Sequence, residues 1–98
     1  TEECAFGALR AREGAGLGVP GEMSVASFND TPRSALVEPP LTSVSAHVEE
    51  MARTALRLLS GRAVLPGPAP VRTNPLKVVV PPALAVREST RQAPGCEN

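Results

Sequence analysis

The 98-residue sequence carries ten basic and ten acidic side chains, and only two of its residues are aromatic. A balanced charge gives no net field that would attract nucleic acid, an anionic membrane or an acidic substrate. No apolar run reaches the roughly 18 residues that span a bilayer, and the two cysteines have neither CxxC nor metal-ligand spacing. We therefore expect no membrane segment, no disulfide framework and no zinc site.

The chain begins with the pattern of an amphipathic helix, predicted over residues 2–13. Acidic side chains lie at its start, where the helix dipole is positive, and Arg10 and Arg12 lie near its end. The following stretch, 14–22, formally contains GxGxxG, but it follows a helix and precedes a strand, which reverses the order of a dinucleotide loop. We interpret it as a plain helix-to-strand loop. Within the first predicted helix, 2–13, the residues expected to be buried are Cys4, Ala5, Phe6 and Leu9.

A predicted strand, 23–29, runs into a polar turn. Small and apolar side chains on both sides of the strand favour burial of both faces. Asn29 and Asp30 lie at its carboxyl end, where open α/β sheets bind ligands in the crevice beyond the strands. Their amide and carboxylate groups offer donors and acceptors suited to a polyol. The alternative is that both side chains only cap the turn, because Asn and Asp commonly bond to nearby backbone.

The rest of the chain alternates short strands with helices, which indicates an α/β layer architecture. The strongest helix signal comes after the second strand, because apolar residues recur there at i, i+3, i+4 and i+7. Prolines exclude a helix or a central strand from the connector that follows. In chain order, the remaining predicted elements are a helical turn at 32–38, a strand at 41–45, a helix at 47–60, a surface connector at 65–75, strands at 77–80 and 84–88, and a disordered tail at 91–98.

No catalytic group is expected. Ser27, Asp30 and His47 are the residue types of a nucleophilic triad, but no GxSxG turn surrounds the serine, so we interpret their occurrence as coincidence. His47 is the sole histidine, which excludes a multi-histidine metal site within these residues. We therefore predict neither enzyme activity nor a cofactor or metal.

Three blocks of sequence occur in a specific order and spacing: GLGVPGEMSVASFNDTP, EPPLTSVSAHVEEMARTALRLLSGR and VVVPPALAVREST. Together they resemble the closing third of transcriptional regulators of the lac repressor/galactose repressor (LacI/GalR) family. The resemblance implies an α/β fold that is an incomplete part, mostly the C-terminal lobe, of a periplasmic-binding-protein-like (type I) fold. It also implies that residues 1–90 are the C-terminal portion of an effector-binding sensor domain.

In that family a helix-turn-helix domain precedes a two-lobed sensor, and an effector that binds between the lobes changes the affinity for operator DNA. The resemblance therefore implies a cytoplasmic homodimer that senses a sugar-like small molecule. We expect DNA to be bound only through an amino-terminal domain outside residues 1–98, and no membrane partner. The alternative is a transport-associated sugar-binding protein with the same lobes, which an upstream signal peptide would indicate. The terminal VREST favours the regulator.

The resemblance also implies roles for individual residues. Asn29 stands where family members commonly have an Asp that bonds the hydroxyl groups of the effector, and Asp30 matches a second acidic position. His47 and Val48 fall in the segment that borders the pocket mouth. These four are the predicted ligand-binding residues. The apolar residues implied to lie on the dimer surface are Leu36 and Val37.

Overall fold

The computed structural model describes residues 1–63 and 77–95, which divide into two units. The predicted connector, 65–75, and the last three residues of the predicted tail lie outside the described residues. The described parts of the first and the second unit are, respectively, 1–46 with 82–95 and 47–63 with 77–81.

Three helices and three strands form in the described residues. The α/β class is confirmed, and the observed helices begin within a residue of their predicted starts. The strand predicted at 77–80 does not form, because among the described residues of the second unit no segment pairs with it. The bounds are α1 Glu2–Ala15, β1 Ala26–Phe28, α2 Pro32–Leu36, β2 Thr42–Ser45, α3 Val48–Ala63 and β3 Ala83–Ala85.

Helix α1 ends at Gly16, which has a left-handed backbone with φ 68° and donates its N–H to the carbonyl of Arg12. Glycine adopts this conformation without a steric penalty, so it ends the helix at a defined point. The predicted stripe of Ala5, Phe6 and Leu9 is buried. The prediction for Cys4 is wrong: its side chain is exposed, because it lies on nearly the opposite side of the helix.

The sheet has the order β1-β2-β3, with β1 parallel to β2 and β2 antiparallel to β3. Helix α1 packs against β1, and the buried face of the sheet carries Ser27 opposite Ser43. The other face carries Phe28 and Leu84, which are 67% and 60% exposed. Burial of both faces of β1 was therefore a wrong prediction for Phe28, since the described residues leave its side chain mostly exposed.

The hydrophobic core belongs to the first unit and centres on Leu41, which is fully buried. Aromatic residues are scarce, and Phe6 is the ring that fills this core. The guanidinium carbon of Arg33 lies 4.3 Å from the centre of that ring, in a cation–π contact. The remaining buried members are Ala5, Leu9 and Val19, and Met23, Val25 and Val37 pack against them.

Helix α3 lies in the second unit and shows the predicted amphipathic pattern. Arg53 and Glu49 form an ion pair on its polar side, with Nη2 and Oε1 2.7 Å apart. Its apolar side remains open, because Val48 is 64% exposed and Leu59 is 63% exposed. The helix prediction is therefore confirmed, while the pattern alone does not tell what covers the apolar face.

Candidate functional site

The polar turn after β1, residues 29–31, has an unusual backbone. Asn29 has φ 97° and Asp30 has φ 50°, both outside the range that most L-residues adopt. Asn and Asp tolerate positive φ better than other side chains because their short polar groups bond locally. The turn therefore reverses the chain sharply at the carboxyl end of β1, and the side chain of Asn29 is exposed there.

All three backbone N–H groups of the 29–31 turn donate to partners in other elements. Two of the acceptors belong to β2 and one belongs to α1, so the turn is bonded to two elements besides the strand that precedes it. The backbone of the turn is therefore held through its amides, while the side chains of Asn29 and Thr31 are exposed. The donor–acceptor pairs are Asn29 N to Val44 O at 2.9 Å, Asp30 N to Ser43 Oγ at 3.0 Å and Thr31 N to Glu2 Oε1 at 3.0 Å.

Glu2 is a charged residue that lies inside the first unit, only 4% exposed. Its Oε1 also accepts a hydrogen bond from the hydroxyl of Ser34 in α2. Burial by itself raises the pKa of Glu2, but the hydrogen bonds from Ser34 and Thr31, and the positive charge of Arg87, outweigh it and leave the pKa below its usual value. The ionised carboxylate therefore holds both α2 and the turn against the start of α1.

Asp30 pairs with Arg87 beneath the turn. The Arg87 Nη2 lies 2.7 Å from Asp30 Oδ1, and the two side chains are only 22% and 18% exposed. The same guanidinium donates from Nη1 to the carbonyl of Leu41 at 2.7 Å. A shielded pair of this kind interacts more strongly than one in open solvent. The pair therefore links the turn to the segment that follows β3.

Small hydroxyl side chains complete a buried polar frame behind the turn. Ser27 Oγ donates to Ser43 Oγ at 3.1 Å across β1 and β2. Ser89 Oγ accepts from the N–H of Thr42 at 2.8 Å and donates to the carbonyl of Val25 at 2.6 Å. Because buried polar groups cost free energy unless they are paired, these bonds favour one arrangement of the strands.

The predicted ligand-binding residues fall in two places. The structure brings Asn29 and Asp30 together in the first unit, with the first exposed and the second paired with Arg87. His47 has φ 50° and immediately precedes α3, and Val48 is the first residue of that helix. Both belong to the second unit and are exposed. No ligand contact follows from these positions alone, so all four assignments stay predictions.

The predicted dimer-surface residues differ in exposure. Leu36, the last residue of α2, is 83% exposed. Val37 is half-buried and packs against the hydrophobic core of its own chain. The leucine is therefore the more available of the two for contact with another subunit.

Sequence reasoning assigned no place in the site to Glu2, Ser43 or Arg87. The sequence did indicate that Glu2 faces the core, because Glu2, Ala5, Phe6 and Leu9 follow the i, i+3, i+4, i+7 pattern of one helix face. Ser43 lies two residues after Leu41, so an extended chain places both side chains on one face, which indicates an inward position without naming a partner. Arg87 had no local signal, since its partner Asp30 lies far away along the chain.

The described residues contain no group of three or more His, Cys, Asp or Glu side chains that could hold a metal ion. Within the same residues no helix has the length and apolar character needed to cross a membrane.

Comparison with known proteins identifies the family of this α/β fold. A family model described as "Periplasmic binding protein-like domain" matches residues 1–90. The chain is 42% identical over 91 residues to the HTH-type transcriptional regulator MalR of Streptomyces coelicolor, which covers 93% of this chain and 25% of that protein. The fold and these matches define a periplasmic-binding-protein-like sensor domain, so the predicted fold is confirmed.

Several solved structures are similar to this chain, and two of them illustrate the match. The transcription regulator CcpA of Lactococcus lactis superposes with a TM-score of 0.73 at 25% identity, over 89% of this chain and 30% of that one. The CelR–cellobiose complex gives a TM-score of 0.68 at 35% identity, over 84% of this chain and 24% of that one. The chain belongs to the LacI/GalR family of transcriptional regulators, and it spans 22% to 25% of the length of the first curated relatives that it matches.

Proposed function

We propose that this chain is the effector-sensing and dimerisation part of a LacI/GalR-type transcriptional regulator, and that Asn29 contacts a sugar-like effector. The observation that carries the proposal is the 29–31 turn, whose amides all bond inward while the Asn29 side chain faces solvent. Polar groups held rigidly at the carboxyl end of a buried strand are typical of ligand sites in α/β sheets. The similar CelR structure, a complex with cellobiose, supports a sugar as the ligand class.

The chemistry of Asn29 suits hydroxyl recognition. Its amide offers one acceptor and two donor hydrogens, so it binds a sugar hydroxyl in either role. An Asp, common at this position in the family, only accepts when ionised. Asp30 would contribute the second polar group of the same turn. His47 and Val48, which belong to the second unit, remain predicted ligand-binding residues.

The remaining parts of the proposal concern partners. Homodimerisation would use Leu36, an apolar side chain that is 83% exposed on a polar surface. DNA would be bound by a helix-turn-helix elsewhere in the whole regulator, in the cytoplasm. Relatives such as MalR are named transcriptional regulators, which favours this function over a transport-associated binding protein.

The test uses a chimera in which residues 1–90 replace the matching segment of CelR. Isothermal titration with cellobiose, lactose and maltose measures binding, and thermal melting checks that each protein is folded. We expect at least one sugar to bind. Asn29→Gly should weaken that binding by about tenfold, the effect of losing one or two hydrogen bonds. The melting temperature should hold or rise, because glycine accepts φ 97° without strain.

Asn29→Asp is the matched control, since it keeps the backbone preference and one acceptor. We expect it to retain binding, with an altered preference among the three sugars. Unchanged sugar affinity in the folded Asn29→Gly chimera would show that Asn29 does not contact the sugar and that the turn is only structural. A folded chimera that binds none of the sugars would contradict the proposed ligand class.

A further inference from the structure

Arg87 belongs to the VREST segment, two residues after β3, and the proposed function gives it no role. Its backbone N–H donates to Thr42 Oγ1 at 2.9 Å, and its Nη1 donates to the carbonyl of Leu41 at 2.7 Å. Both bonds hold the chain after β3 against the beginning of β2. The second guanidinium nitrogen, Nη2, reaches Asp30 in the 29–31 turn. The Arg87 side chain therefore joins three places: the 29–31 turn, Leu41 just before β2, and its own segment just after β3.

Two carboxylates at the turn interact with Arg87 in different ways. Asp30 contacts the guanidinium directly, while Glu2, which accepts the N–H of Thr31, has its pKa lowered in part by the same charge. The planar guanidinium donates from Nη1 to the Leu41 carbonyl and places Nη2 in an ion pair with Asp30, and an ammonium group on a flexible stem does not reproduce that geometry.

The contact between Arg87 and Asp30 connects the turn to the strand by which the chain returns to the first unit. The chain leaves the second unit at Pro81 and enters the first at Pro82, immediately before β3 begins at Ala83. Arg87 is the point after β3 at which this returning segment contacts the turn through a side chain. A displacement of β3 along its length would pull on Asp30.

We propose that Arg87 is a positioning residue for the effector contact. By binding Asp30 it stabilises the left-handed backbone of the turn, directs Asn29 toward the effector, and makes that geometry depend on β3. This inference rests on the proposed function, because the orientation of Asn29 matters for sensing only if an effector binds there. The geometric part, from Arg87 to the turn, can be measured without any ligand.

The experiment compares Arg87→Met with Arg53→Met in the full 98-residue chain, because both changes remove a guanidinium and keep an unbranched stem. Amide hydrogen exchange is followed by NMR. In Arg87→Met the exchange of the Asp30 and Thr31 N–H groups should rise by roughly 10- to 100-fold, as expected for loss of a shielded ion pair at the turn. The N–H of Leu9 in α1 should change little, and Arg53→Met should leave the turn unchanged.

Arg87→Lys is the second variant, and it keeps a charge near Asp30 if the methionine variant folds poorly. It should give exchange rates between those of the wild type and Arg87→Met, because the charge remains and the forked geometry is lost. Unchanged protection of the turn in Arg87→Met would overturn the positioning role. A uniform rise in exchange through α1 and the sheet would also overturn it, since that result indicates general destabilisation.

Sugar titration of the CelR chimera separates the two proposals. If the chimera binds a sugar, Arg87→Met should weaken that binding by about tenfold while Arg53→Met leaves it unchanged. Sugar affinity that is indifferent to Arg87→Met would overturn the positioning role and leave the proposed function standing. A loosened turn together with no binding of any of the three sugars would overturn the proposed function, and with it the sensing role of Arg87.

Discussion

The first unit encloses a hydrophobic core, whereas the apolar side chains along α3 in the second unit are mostly exposed. Every buried hydrophobic residue among the described ones belongs to the first unit, with Leu41 at 0% exposure. On α3, by contrast, Leu56 is 64% exposed. Both α1 and α3 have amphipathic sequences, so the difference arises from what packs against each helix. Helical periodicity thus indicates where a helix forms, and burial depends on partners supplied by the rest of the fold.

The largest expected effect tests this contrast directly by removing the same side-chain atoms in each unit. Leu41→Ala should lower the free energy of unfolding by about 2 to 5 kcal/mol, because it leaves a cavity in the core. Leu56→Ala should change it by less than about 0.5 kcal/mol, because the side chain is mostly in solvent. Urea unfolding followed by circular dichroism measures both. Equal losses from the two variants would show that the units are not distinct in packing.

An intermediate effect is expected from the buried carboxylate. Glu2→Gln should cost about 1 to 3 kcal/mol, since Ser34 and the turn lose a charged acceptor. Glu3→Gln is the control on the exposed side of the same helix turn, where Arg33 lies 3.7 Å away in solvent, and it should cost little.

The acid dependence of stability gives a second readout of the same residue. The folded-state pKa of Glu2 lies below the usual 4.5, so its ionised form adds stability that is fully present above pH 4.5. That stability is lost as the pH falls through the lowered pKa. Wild-type chain should therefore lose stability in that acid range, and Glu2→Gln should lose less. Parallel pH profiles for the two proteins would contradict the role given to the carboxylate.

The smallest effect is expected on the surface of α3. Glu49→Gln removes the pair with Arg53, whose two side chains are 86% and 59% exposed. The free energy of unfolding should fall by only about 0.3 to 0.5 kcal/mol, and 1 M salt should remove most of that difference. A loss as large as that of Glu2→Gln would mean that the two units do not differ in electrostatic shielding.

Much of the fold could be predicted because its signals are local. The apolar periods of α1 and α3, the glycine at the end of α1 and the short strands around the turn all act within a few residues. The errors have nonlocal causes. Phe28 is exposed and 77–80 forms no strand, since the described residues supply neither a covering layer nor a pairing partner. A pattern along the chain carries no information about a neighbour that lies far away in sequence.

The site was predictable only in part, for the same reason. Asn29 and Asp30 could be predicted as candidate ligand-binding residues from their place at the end of β1, because ligand positions in α/β sheets follow from topology. The groups that hold the turn come from α1, β2 and the segment after β3. Their selection of Glu2, Ser43 and Arg87 depends on how these elements meet, which no spacing along the sequence expresses.

The backbone of the 29–31 turn also restricts how this protein can evolve. At φ 97°, position 29 accepts Gly, Asn and Asp far more readily than any branched or bulky side chain. For the proposed effector contact, position 29 can therefore offer an amide, a carboxylate or no side chain at all. Asn and Asp codons differ by a single base, as do those of Asp and Gly, so one nucleotide change would exchange donor-and-acceptor for acceptor-only chemistry at a backbone conformation that both residues tolerate.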